Sequence, residues 1–389
     1  VRIGLLTREY PPEVYGGGGA HVGNLVPRLR RLIDVDVHGF GERAADDPAH
    51  VHRYQWPAAV ADANMALRTL SVNADMTARL GDVHLVHSHT WYTNMAGHLT
   101  KTMYGVPHVI TAHSLEVRRP WKAEQLDSGY GVSSWIEDTA YRSADAVIAV
   151  SEWMRGDVLE CNPYLDPERV FVVRNGIDTE EFHPTEERSA LVRYGIDVDR
   201  PLVLFVGRVS RQKGILPLLA AAHRFNPDAQ FVLCAGAPDT PELADEVARA
   251  IAELRTERDS VLWIPDLHDT AVLRQLYAAA TVFVCPSVYE PMGIVNLEAM
   301  ACGTAVVAAK VGGIPEVVVH GETGVLVPYS DDSYVGELAE SVNAVLDDPA
   351  WAAELGRAGR KRAGEMFSWT DVARRTVDVY RRVLNGDAR

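Results

Sequence analysis

The order of apolar and amphipathic stretches constrains this chain more than any other feature. Short apolar runs rich in β-branched residues alternate with longer runs of helical periodicity. Strands are expected at residues 1–6, 34–40, 83–87, 107–111, 146–150 and 170–173. Helices are expected between them at 20–32, 64–80, 93–104, 133–142 and 153–161. Strand–helix alternation requires crossover connections, and these make a parallel sheet covered on both faces. From about 175 to 200 the pattern lapses into Gly, Pro and charged residues, then restarts. The second series has strands at 202–206, 230–235, 261–264, 282–286, 305–308 and 324–327. Its helices fall at 215–225, 242–255, 270–279, 293–302 and 314–319. The fold class is therefore α/β: two Rossmann-like, doubly wound domains, 1–180 and 181–369, facing a central cleft. Pro27 should bend the first helix or remove one of its hydrogen bonds. A last amphipathic helix, from about 370 to 384, shows Val372, Val377, Tyr380 and Leu384 on one face.

Composition removes several functions. The 389 residues carry 38 Lys and Arg against 53 Asp and Glu, a net charge of −15. Such a balance argues against a nucleic-acid partner, whose phosphates need a basic footprint. No apolar run approaches the ~18–20 residues of a membrane span, and the opening 1–6 reads as a first strand rather than a leader. Cys161, Cys234, Cys285 and Cys302 are widely spaced, which suits reduced packing residues in a cytoplasmic protein. The expected partners are small molecules, with no nucleic acid and no membrane, and a homodimer is compatible with the chain.

Ligands of open α/β sheets bind beyond the carboxyl ends of the strands, so candidate site residues are those that follow a strand. Gly16, Gly17, Gly18 and Gly19 follow the first strand and open a helix, where bare backbone N–H groups can approach an anion. This is neither a dinucleotide fingerprint, since His21 stands where a glycine is needed, nor a P-loop. Arg208 and Lys213 follow the first strand of the second series. A guanidinium fork and a point charge five residues apart suit a diphosphate. Glu290 precedes a helix and Glu298 lies inside it, so two carboxylates can grip separate hydroxyl-bearing parts of one ligand. The first amides of that helix, Gly293, Ile294 and Val295, face the same region. His113 follows the strand at 107–111, where it can contact hydroxyls or exchange a proton. His87 and His89 share a strand face, but neither Cys nor carboxylate lies at ligand spacing nearby. No metal site is expected, and this strand end should line the cleft.

These motifs together resemble the retaining GT-B glycosyltransferases. The resemblance rests on EPMGIVNLEAMACGTAVVA, which holds the E-x7-E pair, and on FVGRVSRQKG, VVRNGIDTEEFHP, ADAVIAVS and the glycine-rich start. The stretch AHSLEVRRPWKAEQLDSGYGVSSWIEDTAYRSAD is similar to actinobacterial ADP-glucose-dependent enzymes, the glycogen synthases and α-maltose-1-phosphate synthases. The resemblance implies roles. Arg208 and Lys213 would hold the donor diphosphate, Glu290 the transferred glucose and Glu298 the ribose. Gly16, Gly17 and Gly18 would approach the donor, and Gly293, Ile294 and Val295 would bind its oxygens. Ile264 to Leu267 would line the adenine, and His113 would sit beside the glucose. The last helix, 370–389, would cross back onto the first domain, which would take the acceptor, while 181–369 would bind the donor.

The implied reaction moves glucose from ADP-glucose to glucose 1-phosphate with retention, giving α-maltose 1-phosphate for α-glucan synthesis. No cofactor or metal is implied. Arg118, Arg119 and Lys122, with Tyr10 or Tyr130, are the candidates for the acceptor phosphate. A glucan acceptor would instead use stacking platforms from Trp91, Trp121 and Trp135. The alternatives are a glycogen synthase that elongates an α-1,4-glucan and a non-catalytic sugar-nucleotide sensor.

Overall fold

The restart of the pattern near residue 200 corresponds to two parallel sheets in two compact units. The computed structural model describes residues 1–386 apart from 15, 46, 127, 237, 266–268 and 331. One unit comprises Val1–Asn175 with Trp369–Arg389, the other Gly176–Ser368. The division lies five residues before the expected 180/181 boundary, and hydrogen bonds explain why. The Val173 amide still pairs with Ala149 O at 3.0 Å, and the Asn175 side chain meets His21 Nδ1 at 2.8 Å. The Ile177 amide instead donates to Phe367 O at 2.7 Å.

In the first unit the strands are β1 (Arg2–Thr7), β2 (Asp34–Phe40), β3 (Val51–Tyr54), β4 (Leu85–His89), β5 (His108–Ala112), β6 (Ala146–Ala149) and β7 (Val170–Val172). They form one sheet in the order β3-β2-β1-β4-β5-β6-β7, and every pairing is parallel. In the second unit β8 (Leu202–Arg208), β9 (Gln230–Gly236), β10 (Val261–Ile264), β11 (Val282–Cys285), β12 (Ala305–Ala309) and β13 (Val325–Val327) take the order β10-β9-β8-β11-β12-β13. These pairings too are all parallel. The chain order reverses between β1 and β4 in one sheet and between β8 and β11 in the other. Loops diverge there and leave a crevice beyond the strand ends.

Several elements differ from the sequence expectation. The sequence pattern places β3 in a polar loop. It is a four-residue edge strand with two half-buried basic or imidazole side chains between Val51 and Tyr54, too short and too polar for a period-2 signal. β4 starts two residues late and continues to His89, because β1 and β5 pair with it on both sides, with Leu6 opposite Ser88 and His89 opposite Thr111. The first helix, Gly17–Leu29, runs through Pro27 but stops short of residue 32. Helices Tyr334–Asp347 and Pro349–Met366 fill the stretch between the last expected strand and the last expected helix. Asp348 caps the second of them, its carboxylate accepting the Trp351 N–H at 3.0 Å.

The last helix, Trp369–Asn385, belongs to the first unit. Its Trp369, Val372, Val377 and Tyr380 are buried in one apolar cluster with Ile3 and Leu5 of β1 and with Val22, Leu25 and Leu29. Leu384 does not join them and is 37 % exposed. A charge placed in this cluster has no partner, so Val377→Asp should destabilise the first unit by about 3 kcal/mol or more. Hydrogen exchange should show protection lost in β1 and β2 and retained in β8 and β11.

Candidate active site

The switch point of the second unit gathers the cations and carboxylates. Arg208 closes β8, and Lys213 ends the 3-10 turn Arg211–Lys213, whose Lys213 N–H is capped by Ser210 Oγ at 3.3 Å. Lys213 Nζ lies 2.6 Å from Glu290 Oε2, and Ser287 Oγ donates to the same oxygen at 3.1 Å. Arg208 Nη1 lies 2.8 Å from Asp239 Oδ1, on the loop after β9. Both cations are thus held by carboxylates beyond the strand ends.

Backbone contacts fix this geometry. The Val288 N–H donates to Gln212 O at 2.9 Å, and the Gly313 N–H to Glu290 O at 2.9 Å. Gly214 has φ +65°, and a Cβ there would fall 2.0 Å from Pro286 O. Gly312 has φ +56°, and a Cβ there would fall 2.0 Å from Glu290 O. Only glycine permits both the left-handed backbone and so close an approach. The glycine pair after β12 therefore presses on the carbonyl of the residue that pairs with Lys213.

Helix Ile294–Ala301 begins at Gly293, which has no side-chain cap, so the Ile294 and Val295 amides lie in a first turn that lacks intrahelical acceptors. Within the helix, Glu298 Oε2 accepts the Tyr277 hydroxyl at 2.9 Å. Burial pushes the Glu298 carboxyl up to about 7, against the hydrogen bond from Tyr277. Asn296, fully buried two residues earlier, has no hydrogen-bond partner for either side-chain atom. Ile264 ends β10 with its side chain buried. Leu267 lies outside the described residues.

The first unit is different in character. The Gly16 N–H donates to Glu9 Oε2 at 2.7 Å, so a carboxylate already sits at the start of helix Gly17–Leu29. A Cβ on Gly17 would meet nothing within 4 Å, and one on Gly18 only the Thr90 methyl at 3.8 Å. Gly19 is the sterically required member, because a Cβ there would lie 2.8 Å from Glu9 Cβ. His113, just after β5, lies with Nε2 3.0 Å from His89 Nδ1. The strand end at His87 and Ser88, expected to be a ligand-lining surface, is enclosed within the first unit. His87 is fully buried with both ring nitrogens bonded, to the Tyr380 hydroxyl at 2.6 Å and to Thr111 Oγ1 at 2.7 Å, and Ser88 is buried beside it.

The acceptor candidates are not brought together as expected. Arg118 is held by Asp157 at 2.5 Å and Glu160 at 2.7 Å. Arg119 pairs with the fully buried Glu116, and Lys122 Nζ donates to Gln125 Oε1. A guanidinium that neutralises a buried carboxylate is spent on the fold, because removing it strands that charge. Tyr10 faces Arg30, and its ring lies under the Arg53 guanidinium, beside β1 rather than β5. The Tyr130 hydroxyl donates to Glu116 O at 2.8 Å. Trp91 is 2 % exposed and stacked on Tyr92, so it offers no platform, whereas Trp135 is 55 % exposed.

Comparison with known proteins decides the family. Residues 187–362 match the family described as Glycosyl transferases group 1, and residues 15–181 match Glycosyltransferase Family 4. The chain is 56 % identical over 389 residues to the alpha-maltose-1-phosphate synthase of Mycolicibacterium smegmatis, covering 98 % of this chain and 100 % of that one. This chain is a GT-B glycosyltransferase. It is also 30 % identical to the glycogen synthase of Mycobacterium tuberculosis, over 100 % of this chain and 96 % of that one. A solved sucrose-phosphate synthase from Thermosynechococcus elongatus superposes with a TM-score of 0.83 at 27 % identity, covering 99 % of each chain.

Sequence reasoning missed several residues of the glycosyltransferase's site. Asp239 and the Gly312–Gly313 pair follow β9 and β12, so a wider search of strand ends would have found them. Ser287 and Tyr277 carry no signal of their own, because only the fold places them on Glu290 and Glu298. In this glycosyltransferase Gly312→Ala should displace the Glu290 backbone. We expect a loss of about 2 kcal/mol in unfolding free energy and at least about a tenfold loss in kcat/KM. Thermal unfolding and steady-state kinetics check this.

Proposed function

We propose that this enzyme transfers glucose from ADP-glucose to glucose 1-phosphate with retention, forming α-maltose 1-phosphate. The end-to-end identity of 56 % with an alpha-maltose-1-phosphate synthase carries this reading. The paired charges beyond β8 and β11 support it. The donor diphosphate takes Arg208 and Lys213 from their carboxylates. Glu290, released from Lys213, accepts hydrogen bonds from hydroxyls of the glucose, while Glu298 accepts from the ribose. Gly16, Gly17, Gly18 and the amides of Gly293, Ile294 and Val295 serve the donor's oxygens. Ile264 flanks the base, and His113 meets the transferred sugar.

The bond from glucose C1 to the diphosphate oxygen breaks with its electron pair on the diphosphate. The acceptor hydroxyl oxygen bonds C1 on the same face, and its proton passes to the departing diphosphate. Catalysis then consists of positioning and of stabilising charge on the leaving group. Two side-chain cations supply that charge, so no divalent ion is required. Lys122, after β5, takes the acceptor phosphate, with Arg118, Arg119 and Tyr10 left as structural residues. Unbridged cysteines support a cytoplasmic setting, and among the described residues no helix is long and apolar enough to cross a membrane.

Product analysis tests the reading. With labelled ADP-glucose, the label should appear in a disaccharide phosphate when glucose 1-phosphate is the acceptor and should not enter glycogen when glycogen is, and adding EDTA should leave the rate unchanged. Labelled glycogen alone would instead support the elongating reading, for which the exposed Trp135 is a stacking surface. UDP-glucose run in parallel should be the poorer donor. Arg208→Ala and Lys213→Ala should each lower kcat by about 10²–10³-fold, and near-normal turnover in both would sink the assignment. Ionised Glu298 is the hydroxyl acceptor, so donor KM should fall as pH rises through about 7. Tyr277→Phe removes a hydrogen bond that favours ionisation and should move that step to higher pH.

A further inference from the structure

The first unit holds a group of three imidazoles, of which the transfer reaction uses only His113. His21 comes from helix Gly17–Leu29, His89 is the last residue of β4, and His113 follows β5. One ring nitrogen from each lies within 4.8 Å of the others. The rings sit 4.7 Å (His21–His113), 5.3 Å (His89–His113) and 5.5 Å (His21–His89) apart by centroid. One buried nitrogen of the group, His21 Nε2, has no hydrogen-bond partner. An orphaned polar atom at such depth is costly and calls for a ligand.

We propose that His21, His89 and His113 form a site for a divalent transition ion of the zinc class. Three imidazoles and an open fourth position are an established zinc environment, and imidazole also suits copper and nickel. In a tetrahedral site with bonds of ~2.0–2.1 Å the ligand nitrogens stand about 3.3 Å apart. His89 Nδ1 and His113 Nε2 are already at 3.0 Å, and from 4.8 Å a nitrogen need draw in by only about 1.5 Å. Asn175 Oδ1 holds His21 Nδ1 at 2.8 Å, the outer-shell contact that orients a ligating ring and leaves Nε2 for the ion. Burial lowers the proton affinity of all three rings, so their neutral, ligating forms prevail. The proton shared by His89 and His113 moves to the other nitrogen of the ring that carries it, and none is released. His113 is half-exposed and gives the ion a way in.

The ion is not a cofactor of the transfer. On the reading that His113 meets the transferred glucose, ligation takes that ring away and inhibits the enzyme. The inhibitory effect rests on that reading, whereas the site itself does not.

The test uses the full chain stripped of metal. Titration with Co²⁺ should give one ion per chain with the visible absorption of low-coordinate cobalt, displaced by Zn²⁺. His21→Gln and His89→Gln should each weaken binding by about tenfold or more. No saturable binding, or unchanged affinity in both variants, overturns the site. Should the variants not fold, X-ray absorption of the zinc-loaded wild type decides: three imidazoles at ~2.0–2.1 Å support the site, and fewer overturn it. Zn²⁺ should lower transfer from ADP-glucose, reversibly with EDTA. A loaded site with undiminished transfer overturns the inhibitory effect. A chain inactive on ADP-glucose would count against the proposed function, and the spectra would still decide the metal site.

Discussion

The contact between Lys213 and Glu290 is the constraint on which the second unit's site depends. A largely buried ion pair contributes little to stability, because desolvation offsets much of the attraction. Here it is held at 2.6 Å by Ser287 and by backbone that only glycine at 214 and 312 can accommodate. Such an arrangement keeps a cation and a carboxylate ready for other partners. On the proposed reading a diphosphate replaces the carboxylate at Lys213, and sugar hydroxyls replace the ammonium at Glu290. Neither charge is then left bare at any stage.

The two units use one topology for opposite electrostatics. Both place their polar residues where strand order reverses, because only there do adjacent loops diverge. In the second unit these residues are ionised and paired: Arg208 with Asp239, and Lys213 with Glu290. In the first, His21 and His89 are buried and His113 is half-buried, and this environment opposes the imidazolium form of all three. Charge there lies further along the chain, where Arg119 balances the buried Glu116 and Arg118 balances Asp157. Those cations serve the fold first, which is why a basic loop in sequence is not an open phosphate site in three dimensions.

Local signals carried much of the architecture. Strand–helix alternation is written in apolar periodicity, and the thirteen strands among the described residues, in two parallel sheets, follow from it except for β3. That strand gains its stability from pairing with β2 and has little apolar pattern of its own. The residues expected at strand ends, Arg208, Lys213, Glu290 and His113, do stand there, because a parallel sheet delivers its loops to one edge. Tyr10, Arg118 and Trp91 misled, since their side-chain chemistry suits a ligand equally well as a partner within the fold. Nothing local distinguishes the two uses.

The sequence by itself thus determined the fold class, the point of restart and the families of side chains at the strand ends. Periodicity and composition are properties of neighbours along the chain. Tertiary structure alone decided which of those side chains meet. It set Lys213 on Glu290 across 77 residues, brought the last helix back onto β1, and gathered three imidazoles from a helix and two strand ends. Pairings across such separations arise from sheet order and packing, which no window of sequence contains.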